Sequence, residues 1–331
     1  MVRNSIGGKA MKIDTIREKL EHSFFPAVPI PFDRSGKIHE TAQEQYVKYM
    51  DKQPITGVAV WAHTGRGLLI TREQREYIFK SWRAGLSREK IIICGVGART
   101  VKDLTEEKFI KNTLEMGIHA KDLGADAILA YPPTYYRGKE YMDKKIIDYH
   151  KKIAEIGLPI ILFYLYDEAG GISYSQKVLE QLFSIENVVG IKMATLDSIV
   201  TYQDVSKLIL DKFPHIKLIT GEDRMFGYTI ARGAAGALVG LGSACQKLQW
   251  EMMDSFFRRD YEDFVKLMLD VDRLAECTFI DPMEGYIERM LYILSLQGII
   301  PEDAVNDPYG PGLKQQDKEE IRKILQELHL Y

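Results

Sequence analysis

Short apolar runs alternate with longer amphipathic stretches along most of the chain. Each run is bounded by polar turns and followed by a segment whose apolar residues have helical spacing. The eight runs lie at residues 24–32, 57–62, 90–96, 127–132, 159–166, 188–194, 216–221 and 236–241. Strands that alternate with helices in this way are typical of a parallel sheet. Eight such units predict an α/β fold, a (β/α)8 TIM barrel, whose active site lies at the carboxyl ends of the strands.

The segment after the second run carries clear helix signals. Thr71 is a good N-cap residue, and Gln74 follows three positions later, as in a capping box. Tyr77, Ile78 and Trp82 then repeat at helical spacing. The sequence therefore predicts a helix that begins next to Thr71.

The C-terminal part of the chain differs from the rest. From about residue 260 onward there is no further strand pattern, but amphipathic segments such as 261–277 and 318–331 predict appended helices. No low-complexity linker precedes them. We therefore expect an N-terminal extension at residues 1–22, the barrel at 23–258 and a helical region at 259–331 that packs on the barrel.

Charge and composition narrow the class of ligand. Lys+Arg total 44 against 47 Asp+Glu, a formal net charge of −3, which argues against a dedicated binder of nucleic acid or anionic membrane. The start of the chain lacks the apolar segment of a secretory signal, and no run of 18 apolar residues occurs. We expect a soluble, cytoplasmic protein that acts on small molecules.

Metal and redox cofactors are not indicated. The three cysteines, Cys94, Cys245 and Cys277, are widely spaced and form no CxxC pair, which favours a reducing compartment. The seven histidines show no HxH or HExxH pattern, and the GVGART stretch at 95–100 lacks the spacing of a dinucleotide fingerprint. We therefore expect no metal and no bound cofactor.

The sixth run, VVGIKMA, places Lys192 in the middle of a strand that is too apolar to have one face in water. Alternation along a strand predicts that Val188, Gly190, Lys192 and Ala194 share one face and that Val189, Ile191 and Met193 share the other. Burial lowers a lysine pKa by up to ~3–5 units, which makes the amine a nucleophile near neutral pH. The alternative is a structural lysine that pairs with an acid at the strand end.

Other reactive side chains follow neighbouring strands. His63, Thr64 and Gly65 come after the second run and could offer donors to a carboxylate. On the fifth run Tyr164 is expected to share a face with Leu162 and Tyr166, opposite Phe163 and Leu165. Tyr135 and Tyr136 follow the fourth run, and Leu238 of the eighth run is expected to line the substrate site. An amine, phenols and a carboxylate-binding turn suit a Schiff-base enzyme, although each residue alone has an ordinary structural reading in packing, turns or capping.

The order and spacing of these motifs resemble the dihydrodipicolinate synthase / N-acetylneuraminate lyase superfamily. The resemblance rests on FPAVPIPF at the first strand, HTG after the second, YY after the fourth and GIKMAT on the sixth. Tyr164 also precedes Lys192 by 192 − 164 = 28 residues. The resemblance covers roughly residues 20 to 300.

The resemblance implies a TIM barrel that forms a covalent imine between Lys192 and pyruvate or a related 2-oxo acid. It implies that Tyr164 relays protons and that Thr64 holds the carboxylate of the 2-oxo acid. It further implies a homo-oligomer, a dimer or a tetramer, in which Tyr136 reaches into the active site of the neighbouring subunit.

The sequence departs from the family pattern in three places. The usual Gly-Thr-Thr-Gly-Glu turn is replaced by Ala-His-Thr-Gly-Arg at residues 62–66, so His63 is expected to take over proton transfer from the missing threonine. Ala169 stands where the synthases carry an arginine for the carboxylate of the aldehyde, which argues against true dihydrodipicolinate synthase activity. The loop around Tyr136 also departs from the usual Pro-Tyr-Tyr-Asn form.

The sequence thus predicts a Schiff-base lyase, an aldolase or a dehydratase, acting on a 2-oxo acid or a 2-keto-3-deoxy sugar acid. One alternative is a condensing synthase that uses a different aldehyde. Another is a non-catalytic sugar-acid-binding protein on the same scaffold, because a fold alone does not determine function.

Overall fold

The computed structural model describes residues 13–196 and 198–331. Eight parallel strands lie at the predicted runs, although several are shorter than predicted. They are β1 (Ser23–Pro26), β2 (Gly57–Val60), β3 (Ile91–Val96), β4 (Ala127–Ala130), β5 (Ile160–Leu165), β6 (Val188–Ala194), β7 (Lys217–Thr220) and β8 (Gly236–Val239). Hydrogen bonds join them in the order β1-β8-β7-β6-β5-β4-β3-β2. An Ala27–Ala59 bridge brings β1 next to β2, and the predicted TIM barrel is confirmed.

Helices surround the barrel in the described part of the chain. They are α1 (13–19), α2 (Glu40–Asp51), α3 (Arg72–Gly85), α4 (Glu106–Leu123), α5 (Met142–Ala154), α6 (Gln176–Phe183), α7 (Ile199–Lys212), α8 (Phe226–Ala231), α9 (Gln246–Phe257), α10 (Tyr261–Thr278), α11 (Tyr286–Leu296) and α12 (Gln315–Glu327). The predicted capping box is confirmed, since the side chains of Thr71 and Gln74 each accept the backbone N–H of the other residue. None of the helices in the described ranges is long and apolar enough to cross a membrane.

The buried apolar residues form two clusters, one inside the barrel and one between the strands and the helices. Ile13 and Ile16 of the short α1 and Leu20 just after it are buried in the interior cluster. The described end of the predicted N-terminal extension therefore contributes to the barrel core, whereas residues 1–12 lie outside the described residues.

The C-terminal helices pack on the barrel wall and on one another. Helix α10 contacts α8 and α9, and α12 contacts both α10 and α11. A short 3-10 turn at Met283–Gly285 leads directly into α11. This turn and the first residue of α11 reach the carboxyl end of the barrel, where the functional residues lie.

Strand β6 contains a bulge that the sequence pattern did not reveal. Between Val188 and Gly190 this strand advances two residues while β5 advances one, so the extra residue is Val189. Val189 therefore lies inside the barrel with Ala194, and Val188 lies in the outer layer. The predicted face shared by Val188 and Lys192 is wrong, because the bulge reverses the alternation at the start of the strand.

Candidate active site

Lys192 lies at the middle of β6 with its side chain inside the barrel. It is only 6% exposed, and its Nζ lies 4.4 Å from the centre of the Phe163 ring on β5. Gly221 leaves room for this side chain, because a Cβ built at Gly221 would be 2.3 Å from Lys192 Cε. Among the described residues Lys192 forms neither a hydrogen bond nor an ion pair. The geometry therefore favours a reactive amine over a structural salt-bridge partner.

Two acidic residues follow β7 beside this amine. Burial is the largest influence on Lys192 and lowers its pKa to about 8, while the charges of Asp223 and Glu222 act in the opposite direction. Asp223 accepts the Leu241 N–H at 2.7 Å, and burial raises its pKa to about 6. Burial also raises the pKa of Glu222 to about 7, although Glu222 accepts hydrogen bonds from the Thr195 hydroxyl and backbone.

These two acids were not among the predicted site residues. The available signal was the Glu-Asp pair directly after the seventh run, because residues at the carboxyl end of a barrel strand face the active site. Their charges act on the pKa of Lys192 in the direction opposite to burial.

The turn after β2 brings three predicted residues, His63, Thr64 and Gly65, to the carboxyl end of the barrel. Thr64 Oγ1 lies 2.8 Å from the hydroxyl of Tyr286, and His63 Nε2 lies 2.8 Å from Glu284 Oε1. Gly65 lets the turn pass close to β1, because a Cβ there would be 2.9 Å from the carbonyl oxygen of Val28. The role of Gly65 as a donor to substrate stays a prediction.

Arg66 ties this turn to the C-terminal region. Its guanidinium pairs with Glu284 and, at 2.6 Å, with Asp307. The side chains of Arg66 and Asp307 are 5% and 2% exposed, so this pair is buried. Burial alone would raise the pKa of Glu284, but His63 and Arg66 lower it to about 2. Glu284 is therefore ionised at neutral pH, and the Arg66 guanidinium forms ion pairs with two acids.

Tyr164 does not face Lys192. The β5–β6 register pairs Lys192 with Phe163, and Tyr164 lies in the outer layer with its ring perpendicular to that of Tyr174 at 5.5 Å. It lines a cavity of about 570 Å³ beside α6 and α7 instead of the barrel interior. Without the bulge at Val189, residue 164 would be paired with residue 192. The predicted proton relay through Tyr164 is therefore corrected, although its shared face with Leu162 is confirmed.

Tyr136 does not extend toward a neighbouring subunit. It is 1% exposed and belongs to the outer cluster, where its ring packs edge-to-face against Phe109 at 5.9 Å and Tyr149 at 6.4 Å. Burial raises the pKa of its phenol, and the Glu106 carboxylate that accepts its hydrogen bond acts in the same direction. Within its own chain the Tyr136 ring is therefore enclosed, and its role at a partner's active site stays a prediction.

A cavity of about 290 Å³ opens at the mouth of the barrel. His63, Arg66, Tyr131, Leu165 and Ala169 line it together with residues after β3 and β4. The Tyr131 phenol donates to the Trp61 carbonyl oxygen at 3.0 Å, so its proton is already engaged within the protein. The interior residue Leu238 is fully buried, and its predicted contact with substrate remains untested.

Comparison with known proteins gives the family. The model of the Dihydrodipicolinate synthetase family matches residues 21–328, which is nearly the whole chain. This chain belongs to the dihydrodipicolinate synthetase family. The family resemblance drawn from the motifs is thereby confirmed.

Proteins similar to this chain carry the names of both synthases and lyases. The chain is 23% identical over 302 residues to the 4-hydroxy-tetrahydrodipicolinate synthase of Brachyspira hyodysenteriae, covering 90% of this chain and 94% of that protein. A crystal structure of dihydrodipicolinate synthase from Bacillus clausii superposes with a TM-score of 0.80 at 18% identity, covering 95% and 100% of the two chains. The N-acetylneuraminate lyase of Mycoplasma synoviae gives a TM-score of 0.74 at 21% identity, covering 93% and 98%. At these identities the structural similarities establish the fold.

Proposed function

We propose that this protein is a lyase that forms an imine between Lys192 and pyruvate or a related 2-oxo acid, and that it needs no metal or bound cofactor. The observation that carries the proposal is a buried lysine amine without a hydrogen-bonding or ion-pair partner among the described residues, inside the barrel of a family whose named relatives are synthases and lyases.

The lowered pKa makes the amine reactive at neutral pH. With a pKa of about 8, about 10% of Lys192 is neutral at pH 7, compared with about 0.03% at the ordinary value of 10.5. Burial therefore increases the nucleophilic form by roughly 300-fold. The neutral nitrogen attacks C2 of the 2-oxo acid, and loss of one water leaves a protonated imine that withdraws electrons from the substrate.

The surroundings of Lys192 suit a cationic intermediate. The face of Phe163 lies over the nitrogen, and aromatic faces attract cations. Asp223 adds a negative charge from the end of β7. These groups stabilise a protonated imine without forming a permanent ion pair with the resting amine.

The turn at His63 and Thr64 supplies the polar contacts. Thr64 and neighbouring backbone N–H groups would hold the substrate carboxylate and direct the ketone toward the amine. His63 lines the cavity and is held by Glu284, which makes it suitable as a proton shuttle between the site and solvent.

Condensation is the second candidate reaction. The relative from Brachyspira hyodysenteriae is named a synthase, and such an enzyme joins a second carbonyl compound instead of releasing one. Counted from Tyr164 the family arginine falls at Ala169, which lines the cavity, and counted from Phe163 it falls at Glu168, so neither register gives an arginine. A condensing reaction would therefore use an aldehyde other than one with a carboxylate bound at that position.

Borohydride trapping tests the proposal. Incubation with pyruvate and sodium borohydride should add the mass of the reduced pyruvate imine, and peptide mapping should place it on Lys192. Lys192→Ala should abolish the adduct. The matched control is Lys217→Ala, a lysine on the adjacent strand that pairs with Glu21, and it should trap normally. A non-catalytic binder would give no adduct, and an adduct on another lysine would contradict the assignment of the nucleophile.

A further inference from the structure

The barrel position that faces Lys192 from β5 carries a phenyl ring and no hydroxyl. Phe163 occupies it, while Tyr164 faces the outer layer. Imine formation requires that the ketone oxygen be protonated before it leaves as water, and an aromatic hydrocarbon cannot supply that proton. If the site forms an imine, another side chain must carry out this transfer.

Tyr286, the first residue of α11, brings a phenol to this end of the barrel. Its hydroxyl lies 2.8 Å from Thr64 Oγ1, which is hydrogen-bond distance, and the residue is 7% exposed. Burial raises the pKa of Tyr286 well above its ordinary value. The phenol is therefore protonated at neutral pH and able to donate.

Residues at the end of β8 connect the Tyr286–Thr64 pair to Asp223, which acts on Lys192. A Cβ built on Gly240, at the end of β8, would be 2.9 Å from the Tyr286 ring and 3.4 Å from Thr64 Oγ1. The next residue, Leu241, donates its N–H to Asp223. The charge of Asp223 acts on both Tyr286 and Lys192. Asp223 is therefore close enough to act on both the hydroxyl pair and the amine.

The C-terminal segment is firmly held in this position. The Tyr286 ring stacks on Phe279, with ring centres 4.5 Å apart and planes at 21°. Two residues earlier, Glu284 is bound by His63 and Arg66. The phenol is therefore presented by a packed and charge-anchored turn, which gives the fixed geometry that proton transfer requires.

We propose that the phenol of Tyr286, coupled to the hydroxyl of Thr64, is the proton relay for imine formation at Lys192. This inference rests on the proposed function. As the bond from Nζ to C2 forms, the C2–O π electrons move to oxygen, which takes the proton of the phenol. The amine nitrogen then gives one proton back to the relay. A further proton from solvent reaches the oxygen, water leaves, and the protonated imine remains.

The test uses pyruvate as the probe, because the second substrate is unknown. The protonated imine loses a methyl proton to give an enamine, so pyruvate should exchange its methyl hydrogens in D2O, measured by proton NMR. Tyr286→Phe keeps the ring and its stack on Phe279, and it should lower the exchange rate at saturating pyruvate by ~10²–10⁴-fold. The KM for pyruvate should change far less, since the carboxylate-binding turn is intact.

Two matched variants make the same substitution elsewhere. Tyr292 lies on the same helix, and Tyr292→Phe removes a buried hydroxyl that has no hydrogen-bond partner in the described part of the structure. Tyr164→Phe removes the phenol on β5. With both variants, the rate at which pyruvate exchanges its methyl hydrogens should stay within threefold of the rate with the parent protein. Thr64→Val, which breaks the pair from the other side, should impair exchange, and its effect should not add to that of Tyr286→Phe.

The outcomes separate the two proposals. If the unmodified protein gives no borohydride adduct, the proposed function itself fails. If it gives the adduct, a Tyr286→Phe exchange rate within threefold of the parent overturns the relay. An equal loss in Tyr164→Phe overturns it as well. Should Tyr286→Phe not fold, Thr64→Val decides the question, because exchange at the parent rate would exclude a relay through this pair.

Discussion

The buried ammonium group of Lys192 should destabilise the folded protein. Lys192→Met keeps a chain of similar length and apolar stem while removing the ammonium group. The pKa of Lys192 is about 8 in the folded protein against 10.5 for an ordinary lysine. At 1.36 kcal/mol for each pH unit of difference, holding the ammonium inside the barrel costs roughly 3 kcal/mol at low pH. The methionine variant should therefore be more stable than the parent at pH 7 to 8.

The pH dependence gives the sharper test. Between pH 8 and 10.5 the unfolded chain holds a proton on this lysine that the folded protein has released. Stability rises with pH wherever the unfolded state binds more protons, so the parent should gain stability across this window. The advantage of the methionine variant should fall from about 3 kcal/mol at pH 8 to about 1 kcal/mol at pH 10.

Urea unfolding followed by circular dichroism at pH 8, 9 and 10 measures this difference. Lys192→Gln is the matched control, since its packing differs from that of methionine but its charge does not. Its free energy of unfolding relative to the parent should show the same decline with pH, displaced by a constant. A difference between the methionine variant and the parent that stays constant from pH 8 to 10 would refute the reasoning, because packing changes do not titrate.

Three further outcomes are expected. The rate of borohydride trapping with pyruvate should rise roughly tenfold from pH 7 to 9 and then level off, as the Lys192 amine becomes neutral around its pKa of about 8; a continuing rise to pH 10 would contradict this. Arg66→Met should lower the free energy of unfolding by about 3–5 kcal/mol because it leaves the buried Asp307 without its cationic partner, whereas substitution of the exposed Arg99 by Met should change it by less than about 0.5 kcal/mol. Aspartate semialdehyde should be a poorer partner for pyruvate than neutral hydroxylated or aromatic aldehydes because Ala169 cannot bind a second carboxylate, and a tenfold preference in kcat/KM for the semialdehyde would overturn that expectation.

Two arginines near the mouth of the barrel are candidates to bind an anionic aldehyde in place of the missing arginine. Arg66 and Arg137 could each have supplied a displaced guanidinium for an anionic substrate. Arg66 is buried between Glu284 and Asp307, and Arg137 donates to the carbonyl oxygen of Gly171. Neither arginine is available without breaking these contacts, which supports a neutral aldehyde.

Sequence patterns within short segments were sufficient to predict the barrel architecture of this protein. The period of apolar residues located all eight strands, and Thr71 with Gln74 located the start of a helix. The same pattern singled out Lys192, because a charged residue within an apolar strand stands out against its immediate neighbours. Each of these features depends on residues a few positions apart, so one stretch of sequence contains the information.

Tertiary structure alone decided which side chains surround that lysine. The bulge at Val189 is set by pairing between two strands, and this one-residue shift exchanges Tyr164 for Phe163 opposite Lys192. The phenol that lies beside Thr64 comes from Tyr286, a separation of 222 residues along the chain. Strand register and the docking of distant helices depend on packing across the whole barrel, and a motif spacing read along one chain segment contains no information about either.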